Sequence, residues 1–182
     1  METAPPRFFG YGSLVNRLTH AYPDAAPLTV GGWRRAWRHT PLRPVAFLTA
    51  VPDPGTRIDG LTAAVPAGDW LALDDREAAY LRVPLPEGPA IYYIPDGLHG
   101  PATDTHPILR SYLDVVVQGY LAEFGPEGVA RFFATTDGWD APIRDDRDAP
   151  LYPRTQAVSA EVTALVDGWL GGANASGRGA LG

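Results

Sequence analysis

The 182-residue chain is 45% apolar, with eight tyrosines and five tryptophans, which suffices for one domain with a real core and is too short for two of ordinary size. Its net charge of −6 argues against a general affinity for nucleic-acid phosphates or anionic membranes, and because all 15 basic residues are arginine, no lysine exists for a Schiff base or a phosphate loop. The absence of cysteine excludes disulfides, thiolate zinc sites and cysteine nucleophiles.

The opening Met1-Glu2-Thr3-Ala4-Pro5-Pro6 shows no basic region leading into an apolar run, and no stretch approaches about 18 uninterrupted apolar residues, so a cytoplasmic protein is expected. Residues 7 to 10 predict a short strand that runs into the turn Gly10-Tyr11-Gly12-Ser13-Leu14. Leu28 to Arg38 alternates, with Trp33, Arg35 and Trp37 on one face and Arg34, Ala36 and Arg38 on the other. In a net negative chain this pattern reads as tryptophan packing with solvated arginines rather than as a stacking platform for single-stranded nucleic acid.

Val45 to Val51 predicts a strand closed by the turn residues Pro52-Asp53-Pro54-Gly55, and Leu61 to Val65 a further short one. Asp69 and Asp74 are placed to cap two short helical turns, the second running through Arg76, Glu77 and Tyr80. Arg82 to Leu85 and Ala90 to Ile94 read as two more strands. About six short strands broken by one helical segment fit a small barrel or a strongly curled sheet.

Beyond residue 95 the period changes. Thr105 and Pro107 open a helix whose stripe comprises Leu109, Leu113, Val116, Val117, Tyr120, Leu121 and Phe124; Gly125 stops it and Pro126 starts a shorter one through Phe133. The Asp-rich segment from Asp137 to Arg154 lacks calcium-loop spacing and reads as a solvated loop rather than a metal site. A last helix spans about Ser159 to Leu170, and the Gly/Ala-rich residues 171–182 are expected to be a disordered tail. The organisation expected is a single α+β domain over residues 1–170, a small mixed β-barrel with peripheral helices and a helical C-terminal half.

Two readings of the glycine turn stand open. Glycine accepts positive φ and lets a ligand approach the backbone, and successive N–H groups of such a turn can converge on a carboxylate or phosphate; a plain strand-ending turn has the same composition. Gly10-Tyr11-Gly12-Ser13-Leu14-Val15 lacks the third glycine of a dinucleotide fingerprint, and Ser13 lacks the flanking glycines of a nucleophile elbow. The four histidines, His20, His39, His99 and His106, have no ligand spacing and read as surface or capping residues. Glu77, flanked by Trp70, Leu73 and Tyr80, is a carboxyl whose apolar surroundings would raise its pKa and suit it to proton exchange near neutrality. The spacing Asp74 to Glu77 also fits a capping box, in which the glutamate only satisfies a backbone N–H.

Tyr11-Gly12-Ser13-Leu14 after an N-terminal strand, followed by Leu73-Asp74-Asp75-Arg76-Glu77-Ala78-Ala79-Tyr80-Leu81-Arg82, resembles the γ-glutamylcyclotransferase-like superfamily, which includes AIG2-like and ChaC-like proteins. The strands Gly32-Trp33-Arg34-Arg35-Ala36-Trp37 and Ala90-Ile91-Tyr92-Tyr93-Ile94 also resemble family segments, so the likeness covers about residues 7 to 95. It implies release of 5-oxoproline from a γ-glutamyl amide, such as a peptide, an amine or glutathione, without a cofactor or metal. By the same resemblance Glu77 is catalytic, the amides of Gly12, Ser13 and Leu14 with Tyr11 beside them bind the substrate's α-carboxylate, and Tyr93 rather than Tyr92 lines the pocket. ChaC-like proteins tend to follow the turn with Ile-Trp and the glutamate with Lys, whereas this chain has Val15-Asn16 and Ala78, which sets it apart from the glutathione-associated pattern. The alternative is a non-catalytic domain of the same fold that binds a small carboxylate or a protein; neither reading calls for nucleic acid or a membrane.

Overall fold

The structure is a computed structural model describing residues 4–177. Six strands form one mixed sheet in the order β4-β5-β1-β3-β2-β7. They are β1 Arg7–Gly10, β2 Ala26–Arg38, β3 Phe47–Ala64, β4 Leu81–Pro84, β5 Ala90–Tyr93 and β7 Thr136–Asp137. A second, two-stranded parallel sheet joins β6 Ile108–Leu109 to β8 Ile143–Arg144. The helices are α1 Leu71–Arg76, α2 Arg110–Ala134 and α3 Ala160–Gly177.

The α+β class matches expectation, whereas a closed barrel does not follow from the pairing, because β4 and β7 lie at opposite ends of the strand order. The strands predicted at 45–51 and 61–65 are two parts of β3, which pairs antiparallel with β2 over nearly its whole length. The turn residues between them still deviate from the ladder: Gly31 pairs with Arg57 and Trp33 with Pro52, leaving residues 53–56 opposite Gly32. Within this bulge the Asp53 carboxylate accepts hydrogen bonds from the Gly55 N–H and the Thr56 hydroxyl, and Gly32 has φ +83°, open to glycine at little cost. Long hairpin pairing therefore absorbed a local turn signal that would otherwise have ended the strand.

Arg35 corrects the expectation of solvated arginines on β2. It is fully buried, over the rings of Tyr120 and Phe132, and donates to the carbonyl oxygens of Tyr11 and Asp59 and to the hydroxyls of Tyr120 and Thr135. Five N–H donors in a fixed fork make arginine suited to such a dense set of acceptors, and each bond offsets part of the cost of burying the charge.

α2 is where the C-terminal half meets the sheet. Leu113, Val116, Val117 and Tyr120 lie in the same core as Val30, Ala50, Ile58 and Leu61, and Val162, Val166 and Leu170 of α3 complete that core from the other side. The helix starts at Arg110 rather than near Thr105, since Ile108 and Leu109 are taken into β6. Gly125, at φ +66°, breaks the helical path just before Pro126, the punctuation expected from that pair. α3 continues to Gly177 where a tail was expected from Gly171, and residues 178–182 lie outside those described. Among the described residues no helix is long and apolar enough to cross a membrane.

Candidate active site

The glycine turn leaves the buried end of β1, whose Phe8 and Phe9 are fixed in the core. Close approach dictates the glycines that pack against it. A Cβ on Gly60 of β3 would stand 2.4 Å from the Gly10 carbonyl oxygen, and one on Gly119 of α2 2.7 Å from the Asn16 nitrogen. Sheet and helix thus close on the turn from two sides. Residues 13–15 form a single 3₁₀ turn, with Val15 N–H donating to the Gly12 carbonyl and Asn16 N–H to that of Ser13. The Asn16 amide then fastens the turn to α2 by donating to the Val115 carbonyl and to the Gln118 side chain.

Tyr11 is committed to the framework. Its hydroxyl donates to the Tyr92 carbonyl and accepts from the Ala50 N–H, and burial raises its pKa far above the ordinary phenol value. Among the described residues, no protein acceptor is bonded to the N–H groups of Gly12 and Leu14. The Tyr112 hydroxyl closes over the turn, 2.6 Å from where a Cβ on Gly12 would stand.

Glu77 follows the last residue of α1, its N–H donating to the Leu73 carbonyl. Because it closes the helix instead of opening one, the capping-box reading does not apply; Asp74, in mid-helix, accepts from the Tyr92 hydroxyl and pairs with Arg82. Burial raises the Glu77 carboxyl above the ordinary value, and the charges of Arg76 and Arg154 offset part of that rise. Arg76 joins the two halves of the site. Its Nε is 3.3 Å from Glu77 Oε1, while its Nη2 lies 3.3 Å from the Ser13 hydroxyl and its Nη1 donates to the Thr19 carbonyl at 2.9 Å.

A cavity of about 270 Å³ opens beside these groups, with Ser13, Arg76, Glu77, Tyr80, Tyr112 and Tyr152 among its walls. A smaller lobe of about 30 Å³ shares Ser13, Leu48, Glu77, Tyr80 and Tyr112 with it and is lined further by Gly10, Tyr11, Gly12, Leu14 and Tyr92. Of the residues expected at the site, Tyr11, Gly12, Ser13, Leu14 and Glu77 therefore all line the smaller space, which adjoins the larger. Tyr93 is not among its lining residues. It packs edge-on against Trp33 with ring centroids 5.2 Å apart, while its neighbour Tyr92 faces the small lobe.

Sequence reading missed Arg76, Tyr112, Tyr152 and Arg154. Arg76 stands beside Glu77 in the quoted motif and was open to notice; Tyr112 sits within the apolar stripe of α2, and Tyr152 and Arg154 in a loop without periodicity. The acidic residues of that loop face elsewhere. Asp137 pairs with Arg34 and Asp145 with Arg110, whereas Asp146 accepts from Ser111 N–H, Ser111 hydroxyl and Leu151 N–H, tying the segment 151–154 to the start of α2.

Comparison with solved structures shows that this α+β chain has the fold of γ-glutamyl cyclotransferase-like structures. It superposes on a structure titled γ-glutamyl cyclotransferase with TM-score 0.50 at 16% identity, covering 90% of this chain and 98% of the other. It is also similar to YkqA from Bacillus subtilis (TM-score 0.58, 15% identity, 77% of this chain) and spans 56% of that protein's length. A third likeness is to an uncharacterised protein, loc79017, from Homo sapiens, with TM-score 0.52, 17% identity and coverage of 88% and 97%. Comparison of the sequence with family models and with curated proteins finds no match.

Proposed function

We propose that the chain is a γ-glutamylcyclotransferase-like enzyme that releases 5-oxoproline from a γ-glutamyl amide. The observation that carries this reading is the shared cavity: a carboxyl with a raised pKa and a glycine turn with free N–H groups line the same space. The printed name of one similar structure, γ-glutamyl cyclotransferase, supports the choice of reaction.

The chemistry asks little of the protein. The substrate's α-amine attacks its own γ-carbonyl, forming the ring C–N bond as the amide C–N bond breaks. Aligned intramolecular attack corresponds to effective molarities of about 10⁵ to 10⁸ M, so folding the substrate supplies much of the rate. The small lobe has room for one small polar group and takes the α-carboxylate on the amides of Gly12 and Leu14. Glu77, on the wall common to both lobes, accepts a proton from the α-ammonium and delivers one to the leaving amine, a role typically contributing about 10² to 10⁴. Burial keeps the Tyr112 phenol protonated, so it serves as a donor to the oxygen of the developing tetrahedral centre. No step calls on a metal or an organic cofactor.

Incubation with a panel of γ-glutamyl amides, read by mass spectrometry for 5-oxoproline, tests the reading. Product from at least one member is expected, and silence across the panel would leave the non-catalytic carboxylate-binding domain as the better account.

A further inference from the structure

The larger lobe carries a charge pattern that cyclisation itself does not require. Arg43, Arg76 and Arg154 line it against a single carboxylate, Glu77, in a chain whose net charge is −6. Arg76 is spent on Glu77, Ser13 and Thr19. Most arginines elsewhere are also bonded, as in Arg17 to Glu123, Arg34 to Asp137, Arg110 to Asp145 and Arg147 to Asp114. The guanidinium groups of Arg43 and Arg154, in contrast, have no hydrogen bond or salt bridge to a protein group among the described residues. A third group points the same way: the Tyr152 hydroxyl is shut off from solvent and has no hydrogen-bond partner, although Tyr152 lines this lobe. A buried hydroxyl without a partner is costly, and one lining the same cavity as two guanidinium groups that make no hydrogen bond is well matched to an anion.

The segment bearing Tyr152 and Arg154 is held in place. Asp146 accepts the Leu151 N–H at 2.9 Å, and the Tyr152 ring packs edge-on against Tyr112 with centroids 5.0 Å apart. The Tyr152 side of the far lobe is therefore a fixed wall, and the lobe's charge is opposite to that of the protein as a whole.

We propose that Arg154, Arg43 and Tyr152 form a second anion subsite, separate from the glycine turn, which holds a carboxylate on the leaving half of the substrate. It rests on the γ-glutamyl reading above only for what occupies the other lobe. The substrate class it selects is a γ-glutamyl amino acid or short peptide with a free carboxylate, in preference to a γ-glutamyl group on a neutral or cationic amine.

The test uses a matched pair, γ-glutamyl-alanine and γ-glutamyl-alaninamide, which differ only in the distal carboxylate. Binding is measured by calorimetry on the full chain carrying Glu77→Gln, and 5-oxoproline release on the unaltered chain. The acid is expected to bind about tenfold more tightly than the amide, with a preference that shrinks as salt is raised. Adding Arg154→Gln, and then Arg43→Gln, is expected to bring the ratio towards one. Equal affinities, or a preference that survives both arginine changes, overturns the subsite. Acid-selective binding without any 5-oxoproline keeps the subsite and rejects cyclotransfer. Release from both compounds with equal KM does the reverse, and binding of neither rejects both.

Discussion

The Nε of Arg35 donates to the carbonyl oxygen of Tyr11 at 3.1 Å, and that carbonyl belongs to the same peptide unit as the Gly12 N–H. The Tyr120 hydroxyl lies 2.8 Å from the same oxygen and accepts from Arg35 in turn. Drawing electron density toward the oxygen makes the N–H at the other end of the unit a stronger donor, and a chain of such bonds is mutually polarising. A buried arginine thus acts on the glycine turn through one amide plane.

Tyr120→Phe removes the hydroxyl and keeps the ring. It is expected to cost about 1 to 2 kcal/mol of stability by chemical denaturation, since buried acceptors lose a partner. On a γ-glutamyl substrate KM should rise several-fold while kcat changes less, because under the proposed function the affected donor holds the α-carboxylate rather than the reacting centre. A structural role alone would lower stability and leave KM where it was.

Glu77→Gln should lower kcat by about 10² to 10⁴ at neutral pH, the span usual for loss of a general acid or base. Its effect on stability has the opposite sign. A carboxyl whose folded pKa is raised contributes stability below its unfolded pKa and loses it as pH rises through the folded value. Gln removes that loss. The variant should melt higher than the parent at pH 7, and the two should converge below about pH 4, where Glu is protonated in both states. Thermal melts across that range, with the kinetics, separate the proton-transfer role from mere packing.

Gly12→Ala places a Cβ 2.6 Å from the Tyr112 hydroxyl oxygen and 3.4 Å from a Leu48 methyl. Overpacking of this kind costs about 1 to 3 kcal/mol. Combining it with Tyr112→Phe removes the closer of the two atoms and should restore part of the stability. Substrate affinity should stay low in the double variant, because the added methyl still occupies the lobe beside the turn. Recovery of both together would show that the glycine serves packing only.

Asp146→Ala should cost about 2 kcal/mol, since it strips partners from Ser111 N–H and Leu151 N–H. Burial acts to raise the Asp146 pKa, but the hydrogen bonds from Ser111 and Leu151 outweigh it and hold the carboxyl below its ordinary value. Its contribution is accordingly present above the unfolded pKa, near 4, and is lost as pH falls through the lower folded one. Parent and variant should approach each other in stability only in strong acid, which pH-dependent denaturation would reveal. The variant should also loosen the wall that bears Tyr152 and Arg154.

The turn at Gly10 to Leu14 and the carboxyl at Glu77 could be read in sequence because each sits in a short stretch whose meaning is local: glycines fix a backbone path, and an acid among aromatics faces desolvation. The stripe on α2 was equally open to reading, as was the break at Gly125, since periodicity and positive φ belong to neighbouring residues. Alternation likewise put Tyr92 and Tyr93 on opposite faces of β5. Which face meets the cavity depended on β5 pairing with β1 and β4, so Tyr92 took the place expected of Tyr93. Arg35 looked solvated because nothing near it in sequence could bond it; its acceptors come from Tyr11, Asp59, Tyr120 and Thr135. The sequence by itself determined most of the helices and singled out the glycine turn and Glu77, which line one cavity in the structure. The open edge of the sheet, the burial of Arg35 and the wall formed by residues 151–154 were decided by the tertiary structure, because each depends on partners that only long-range pairing brings within hydrogen-bond reach.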